Sequence, residues 1–240
     1  MDVREKCYGN YRGGITMIGT IVNSVAIIAG SMIGVAGGKH LSGRIRSIIM
    51  NALGLSVIVV GLQMALTGEN LIAAIGCVVL GAITGELLKI ETWIEKLGEL
   101  LKRKFRSESS TFVEGFVTAS VLYLTGVLVI IGPIQDGTVG DASTLYIKAL
   151  LDGFASMAFA STLGIGVAFS ALPVFIVQGA ITLLASSLLF LKEPHVLNAL
   201  TATGGILIFG IGVNIMNIKK IPIGNFIPAI IYAIVWAMML

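Results

Sequence analysis

From Gly153 to Leu191 the chain runs 39 residues without an aspartate, glutamate, lysine or arginine. A single helix needs about 20 apolar residues to cross the hydrocarbon core of a bilayer, so this stretch holds two crossings with almost nothing between them. Gly164-Ile165-Gly166 is the natural reversal, because glycine adopts the backbone angles of a tight turn. Composition agrees. Of 240 residues 56% are hydrophobic and 12% charged, where a soluble domain carries about 25% charged residues. There are too few polar groups to cover a surface in water, so lipid is the expected solvent.

Eight spans are expected: Ile15–Gly37, Ile48–Leu66, Leu71–Leu88, Val113–Ile134, Leu145–Leu163, Gly166–Leu191, Val196–Met216 and Ile221–Leu240. They make an all-α polytopic bundle, one transmembrane domain over residues 17–240. Residues 1–16 read as a polar N-terminal extension, with Met17 the expected native start. No signal peptide is expected, since the apolar run that follows is too long. Gly30, Gly34 and Gly38 share one helix face, as do Gly81 and Gly85. Such stripes let backbones approach closely. Internal packing is the first expectation for them, and a homodimer contact the second.

Residues 89–110 read KIETWIEKLGELLKRKFRSESS. Ile90, Trp93, Ile94, Leu97, Leu100 and Leu101 recur at helical spacing with charge opposite, which predicts an amphipathic helix at the interface over about 90–106. Cytoplasmic loops carry excess lysine and arginine. Placing Lys102–Arg106, Lys39/Arg44/Arg46 and Lys219/Lys220 inside puts the loop Gln135–Ser143 and both termini outside, in accord with eight spans. The net charge of +3 is too small to point to nucleic acid.

Three pieces of the first third recur in the last third, about 150 residues on. Ile21-Val22-Asn23 matches Ile176-Val177-Gln178, Asn51-Ala52-Leu53 matches Asn198-Ala199-Leu200, and Gly61-Leu62-Gln63-Met64 matches Gly212-Val213-Asn214-Ile215. Ile75-Gly76 and Ile223-Gly224 follow in order. Spans 1–3 then correspond to spans 6–8, displaced by an odd number, which makes the repeat inverted. Secondary transporters are often built so, with substrate sites where the repeats meet.

Candidate site residues follow. Asp152, at the head of the long apolar stretch, is a carboxylate in an apolar span, and such a group marks function by default. Lys148, one turn earlier, is spaced to pair with it, and such a pair is also its simplest structural role. Asp152, Ser156 and Ala160 make a narrow stripe on one face. The matched carboxamides Asn23 and Gln178, Asn51 and Asn198, and Gln63 and Asn214 can coordinate an ion or hydrogen-bond a polar solute. Their simpler role is bonding between helices, about 0.6 kcal/mol each. Glu86 and Glu114 fall at the headgroup level. Asp136, past Pro133, sits in a turn that lines an outer entrance. Pro173 breaks its helix five residues before Gln178, and broken helices mark binding sites. Cys7 and Cys77 form no disulfide framework; His40 and His195 are isolated. No catalytic motif is present, so neither an enzyme nor a cofactor is expected, and any metal stays open.

GTIVNSVAIIAGSMIG, ALGLSVIVVGLQ, GAITGELLKIE, GPIQDG, KALLDGFASMAFASTLGIGVAFSALPVFIVQG and GIGVNIMNIKKIPIGNFIPAI resemble a bacterial and archaeal family of multi-pass membrane proteins, domain-of-unknown-function 554. The resemblance covers Met17 to Leu240. It implies an integral protein of the cytoplasmic (inner) membrane with a transport function, and it carries no catalytic residues. DGFAS also resembles short stretches of cation exporters for manganese and similar ions. The expected function is a small secondary transporter or channel for an ion or small polar solute, with a cation favoured. Asp152, Asn23 and Gln178 would form the site, with Asn51, Gln63, Asn198 and Asn214 nearby. The alternative is a non-transporting membrane scaffold or sensor that docks a partner through its basic amphipathic helix.

Overall fold

The computed structural model describes residues 17–39 and 41–239. Residues 1–16, His40 and Leu240, with the expectations that fall on them, lie outside the described residues. The elements are α1 (Ile18–Gly38), α2 (Gly43–Thr67), α3 (Leu71–Leu88), α4 (Ile90–Lys104), α5 (Phe112–Leu124), α6 (Leu128–Val139), α7 (Ser143–Leu163), α8 (Ala171–Leu183), α9 (Pro194–Ile215) and α10 (Pro228–Met238). Short 3-10 turns fill Gly164–Ser170, Ala185–Ser187, Leu189–Lys192 and Ile223–Phe226. Among the described residues the regular structure is all helical. Five helical stretches are long and apolar enough to cross a membrane, and a sixth follows if α5 and α6 count as one bent span.

The stretch Ser143–Leu183 passes that test as one unit of 41 residues, but it is a hairpin. Asp152 and Gln178 both accept hydrogen bonds from the same Asn23 amide nitrogen, at 3.1 and 3.2 Å. In one straight helix those 26 residues would span about 39 Å. The reversal falls where the glycines predict it, with Gly164 at φ +79°. α7 therefore runs along α1 in one direction, and α8 returns along it in the other.

Glycine sets how closely these helices approach. Positions at Gly30, Gly34 and Gly38 face the backbone oxygens of Gly153, Met157 and Ser161. Residue numbers rise together along both helices, so α1 and α7 pack in parallel. Along α2 and α9 they run in opposite senses: Gly54 meets Gly212 and Gly61 meets Gly205. Gly81 lies on Ala229 and Gly85 on Asn225, which sets α10 and the turn before it antiparallel to α3. Both glycine stripes of the sequence are thus spent on packing inside the chain.

The contacts also sort the loops into two ends. At one end Thr111 donates to the Leu163 carbonyl at 2.7 Å, Glu95 lies 3.9 Å from Lys220, and Glu86 accepts from the Asn225 side chain at 2.6 Å. The basic clusters after α1, on α4 and after α9 share this end. At the other end Glu69 N–H donates to Asn198 at 2.9 Å, and Gly19 N–H donates to Asp136 at 3.3 Å. α4 buries Leu101 against Phe112 and Phe116 while Trp93 and Leu100 stay exposed, at 66% and 61%. That is the split of an amphipathic helix.

Three expectations change. The span Val113–Ile134 is not one helix: α5 and α6 meet at 62°, because Gly126 takes φ +127°, open to glycine and strained for other residues. α6 then continues to Val139, with Pro133 inside it, so most of the expected loop Gln135–Ser143 is helix. Pro173 does not break a helix. It is the third residue of α8, in the first turn, where the missing N–H has no helical partner to lose.

Gly34→Ala places a methyl against the Met157 carbonyl and is expected to cost about 1–3 kcal/mol. Gly37→Ala, with nothing within 4 Å of the new carbon, is expected to cost nothing. Unfolding of both variants in detergent compares them. A second expectation concerns the turn before α10. Glu91 accepts the Gly224 N–H at 2.6 Å, and its own N–H donates to Asn225 at 2.7 Å. Burial holds the Glu91 carboxyl above the ordinary glutamate value. The folded state then binds the proton more tightly than the unfolded one, so stability falls as pH rises from the ordinary value through the raised one. Glu91→Gln is expected to flatten that fall in a series of melting curves.

Candidate functional site

Asn23 on α1, Lys148 and Asp152 on α7 and Gln178 on α8 meet in the interior, and all are buried. α1 brings Asn23 there because its glycine face is pressed against α7. The hairpin brings Gln178 back beside it. Lys148 forms an ion pair with Asp152 one turn away. The pair needs its neighbours, since a buried charge without compensation costs several kcal/mol. The Asn23 amide supplies a second donor to the Asp152 carboxylate, and the Tyr123 ring lies 5.9 Å from the Lys148 ammonium, within cation–π range. Ser156, the next residue on the Asp152 stripe, shares a 2.8 Å hydrogen bond with the Tyr123 hydroxyl.

The network is not saturated. Asn23 Oδ1 and Gln178 Nε2 are buried with no partner. One is an acceptor and the other a donor, and each is worth about 1–3 kcal/mol to whatever satisfies it. Beside the ion pair a cavity of about 590 Å³ opens between α2, the α5–α6 break, α7 and α9. Lys148 and Asp152 reach its wall, as do Tyr123 and the broken segment Thr125–Val129. Irregular backbone is tolerated at membrane depth where it lines a cavity.

Of the seven residues expected from sequence, the structure brings Asn23, Asp152 and Gln178 together. It does not bring the other four. Asn51 and Gln63 lie exposed on α2. Asn198 accepts the Glu69 N–H at 2.9 Å and so fixes the α2–α3 connection. Asn214 both donates to and accepts from the Ile221 backbone at 2.7 Å, closing the loop after α9. The tyrosine and Asp136 were missed as interior groups. Asp136 is fully buried and receives the Gly19 N–H at the start of α1, where a helix end favours negative charge. Thr20 and Thr182 lie 3.5 Å apart beside it. The available signal for Asp136 was Gly126, which moves the bend upstream and carries the helix past Pro133. Among the described residues no group of three or more His, Cys, Asp or Glu side chains is placed to hold a metal.

Apolar helices with outward hydrophobic side chains and an interior ion pair define a multi-pass α-helical membrane protein. The chain belongs to the family described as protein of unknown function (DUF554), whose profile matches residues 18–238. It is 34% identical over 220 residues to the uncharacterized membrane protein YdfK of Bacillus subtilis (strain 168), covering 90% of this chain and 93% of that one. It is 30% identical over 222 residues to the uncharacterized protein YqgA of Escherichia coli (strain K12), covering 90% and 94%. No solved structure matches it.

Breaking one side of the ion pair strands the other charge. Lys148→Met is expected to cost about 3–5 kcal/mol, and Lys148→Met/Asp152→Asn to recover most of that loss. Unfolding of the single and double variants in detergent measures both.

Proposed function

We propose that this protein is a small secondary transporter or channel of the cytoplasmic membrane, moving an ion or small polar solute past Asn23, Lys148, Asp152 and Gln178, and that it is not an enzyme. The observation that carries this is a charged pair buried at membrane depth, flanked by unsatisfied carboxamide atoms, on the wall of a cavity opened by a broken helix. A structural ion pair needs neither the cavity nor the orphaned atoms. A passing solute needs room beside the charges, which the cavity gives, and groups still free to bond, which the Asn23 and Gln178 atoms behind the pair give.

Two features support eight crossings and an inverted repeat. The hairpin divides Ser143–Leu183 into two legs, and the bent pair and the segment Ile223–Met238 bring the crossings to eight. The basic loops then all fall at one end, in accord with the charge rule. The glycine contacts support the repeat. The match of Gly61 with Gly212 also pairs Gly54 with Gly205 at the same offset. A two-fold exchange of α2 and α9 turns the Gly54–Gly212 contact into the Gly205–Gly61 contact, and both exist. Asn23 and Gln178, the matched carboxamides of α1 and α8, bond each other directly.

Uptake of labelled solutes and currents from proteoliposomes test the reading. Asp152→Asn and Asn23→Ala are expected to lower flux about tenfold or more, the worth of a hydrogen bond to a charged group, and Gln178→Ala, which loses a neutral one, about threefold or more. Asn51→Ala and Gln63→Ala, on the outer surface of α2, are expected to leave it unchanged. Flux intact in all three interior variants would remove the site.

A further inference from the structure

We infer that the solute taken by this site is a small organic molecule of zero net charge, with a polar head for the Lys148–Asp152 pair and an apolar body for the cavity. The inference rests on the transport reading above and narrows its substrate. Two observations carry it.

The first is charge balance. Lys148 and Asp152 are the only charged side chains among the described residues that line the cavity. They already neutralise each other in the ion pair. An added inorganic cation would leave the wall with one uncompensated positive charge, and an added anion with one negative. Either state is expensive in a medium that cannot solvate it. A zwitterion avoids this. Its carboxylate takes Lys148 and its ammonium takes Asp152, so each buried charge exchanges one partner for another. An uncharged amide or hydroxyl compound leaves the pair intact and bonds at its edge.

The second is size and surface. About 590 Å³ falls in the usual range for organic ligand sites, about 300–1,000 Å³, and far exceeds what a bare ion fills. Away from the pair the wall is mostly apolar, with Val57, Val60, Met64, Leu122, Ala155 and Phe159, and the Ser56, Thr125 and Thr201 hydroxyls that also reach it each donate to their own helix backbone. Apolar side chains of this kind offer an ion nothing and an alkyl group a great deal, roughly 25 cal/mol for each Å² covered. The balanced pair at one end and the aliphatic wall at the other match a head and a tail.

Four probes with one branched alkyl skeleton separate the charge classes: leucine, isocaproamide, isocaproate and isoamylamine. Binding of each to the full chain in nanodiscs is measured with labelled probe. Leucine or isocaproamide is expected to bind, with isocaproate and isoamylamine weaker by about tenfold or more. Neutralising one partner is expected to invert the preference. Asp152→Asn leaves Lys148 alone and should favour isocaproate, whereas Lys148→Met leaves Asp152 alone and should favour isoamylamine. Ala155→Leu keeps the pair, fills the cavity and should weaken all four, so the inference stays testable if the charge variants fold poorly. A charged probe binding the wild type as well as the uncharged ones would overturn it. So would binding that ignores Ala155→Leu, or no binding by any probe, which would leave the cavity to lipid chains. Flux of an inorganic ion without probe binding would keep the transport reading and sink this one. Probe binding without flux would do the reverse.

Discussion

A buried ion pair forces the rest of the arrangement. Lys148 and Asp152 stay ionised there only if enough donors and acceptors surround them, and α7 alone cannot supply these. Asn23 must come from α1 and Tyr123 from α5. Gln178, in turn, must stand where the second half of the same apolar stretch folds back. The Asn23 side chain therefore holds two legs of one hairpin to a third helix. That single amide decides the relation between α1, α7 and α8, and the cavity forms on the far side of the pair.

Polar bonds set directions, but glycine sets distances. Lipid chains are as apolar as leucine, so helices in a bilayer gain little from burying hydrophobic surface against one another, and close backbone contact takes over. Along α1 the glycines place the helix directly on the α7 backbone. A thicker contact would lift Asn23 away from Asp152, so the packing stripe and the polar cluster are one design. α2 and α9 use the same device in antiparallel fashion, with glycine meeting glycine twice. α2 touches little else and keeps most of its surface outward.

Much of this was legible in the sequence, for physical reasons that can be named. The run from Gly153 to Leu191 is too long for one crossing, and Gly164 marks its turn. α4 announces itself through apolar residues at helical spacing opposite charge. Asn23, Asp152 and Gln178 stand out because polar groups in apolar spans need partners, and here they partner one another. The other four carboxamides did not follow: Asn51 and Gln63 face outward on α2, and Asn198 and Asn214 bond loop backbone. Periodicity cannot tell such a residue from an interior one. The break at Gly126 was hidden for a related reason. Val113–Ile134 is mostly apolar past Glu114, and hydropathy is blind to a bend that changes direction without changing composition.

That bend matters more than the proline that drew attention first. Pro173 lies in the first turn of α8, where a missing N–H costs nothing, so it frees no carbonyl beside Gln178. Gly126 interrupts a span instead, and it does so on the wall of the cavity that holds the ion pair. Had α5 continued straight to Ile134, α6 could not have carried Asp136 in to the start of α1. The bend thus serves two places at once. It opens the space beside Lys148 and Asp152, and it delivers a second buried carboxylate to the helix that presents Asn23. The transport path proposed above needs both an opening and fixed polar groups along it, and one glycine out of the usual backbone region provides for each.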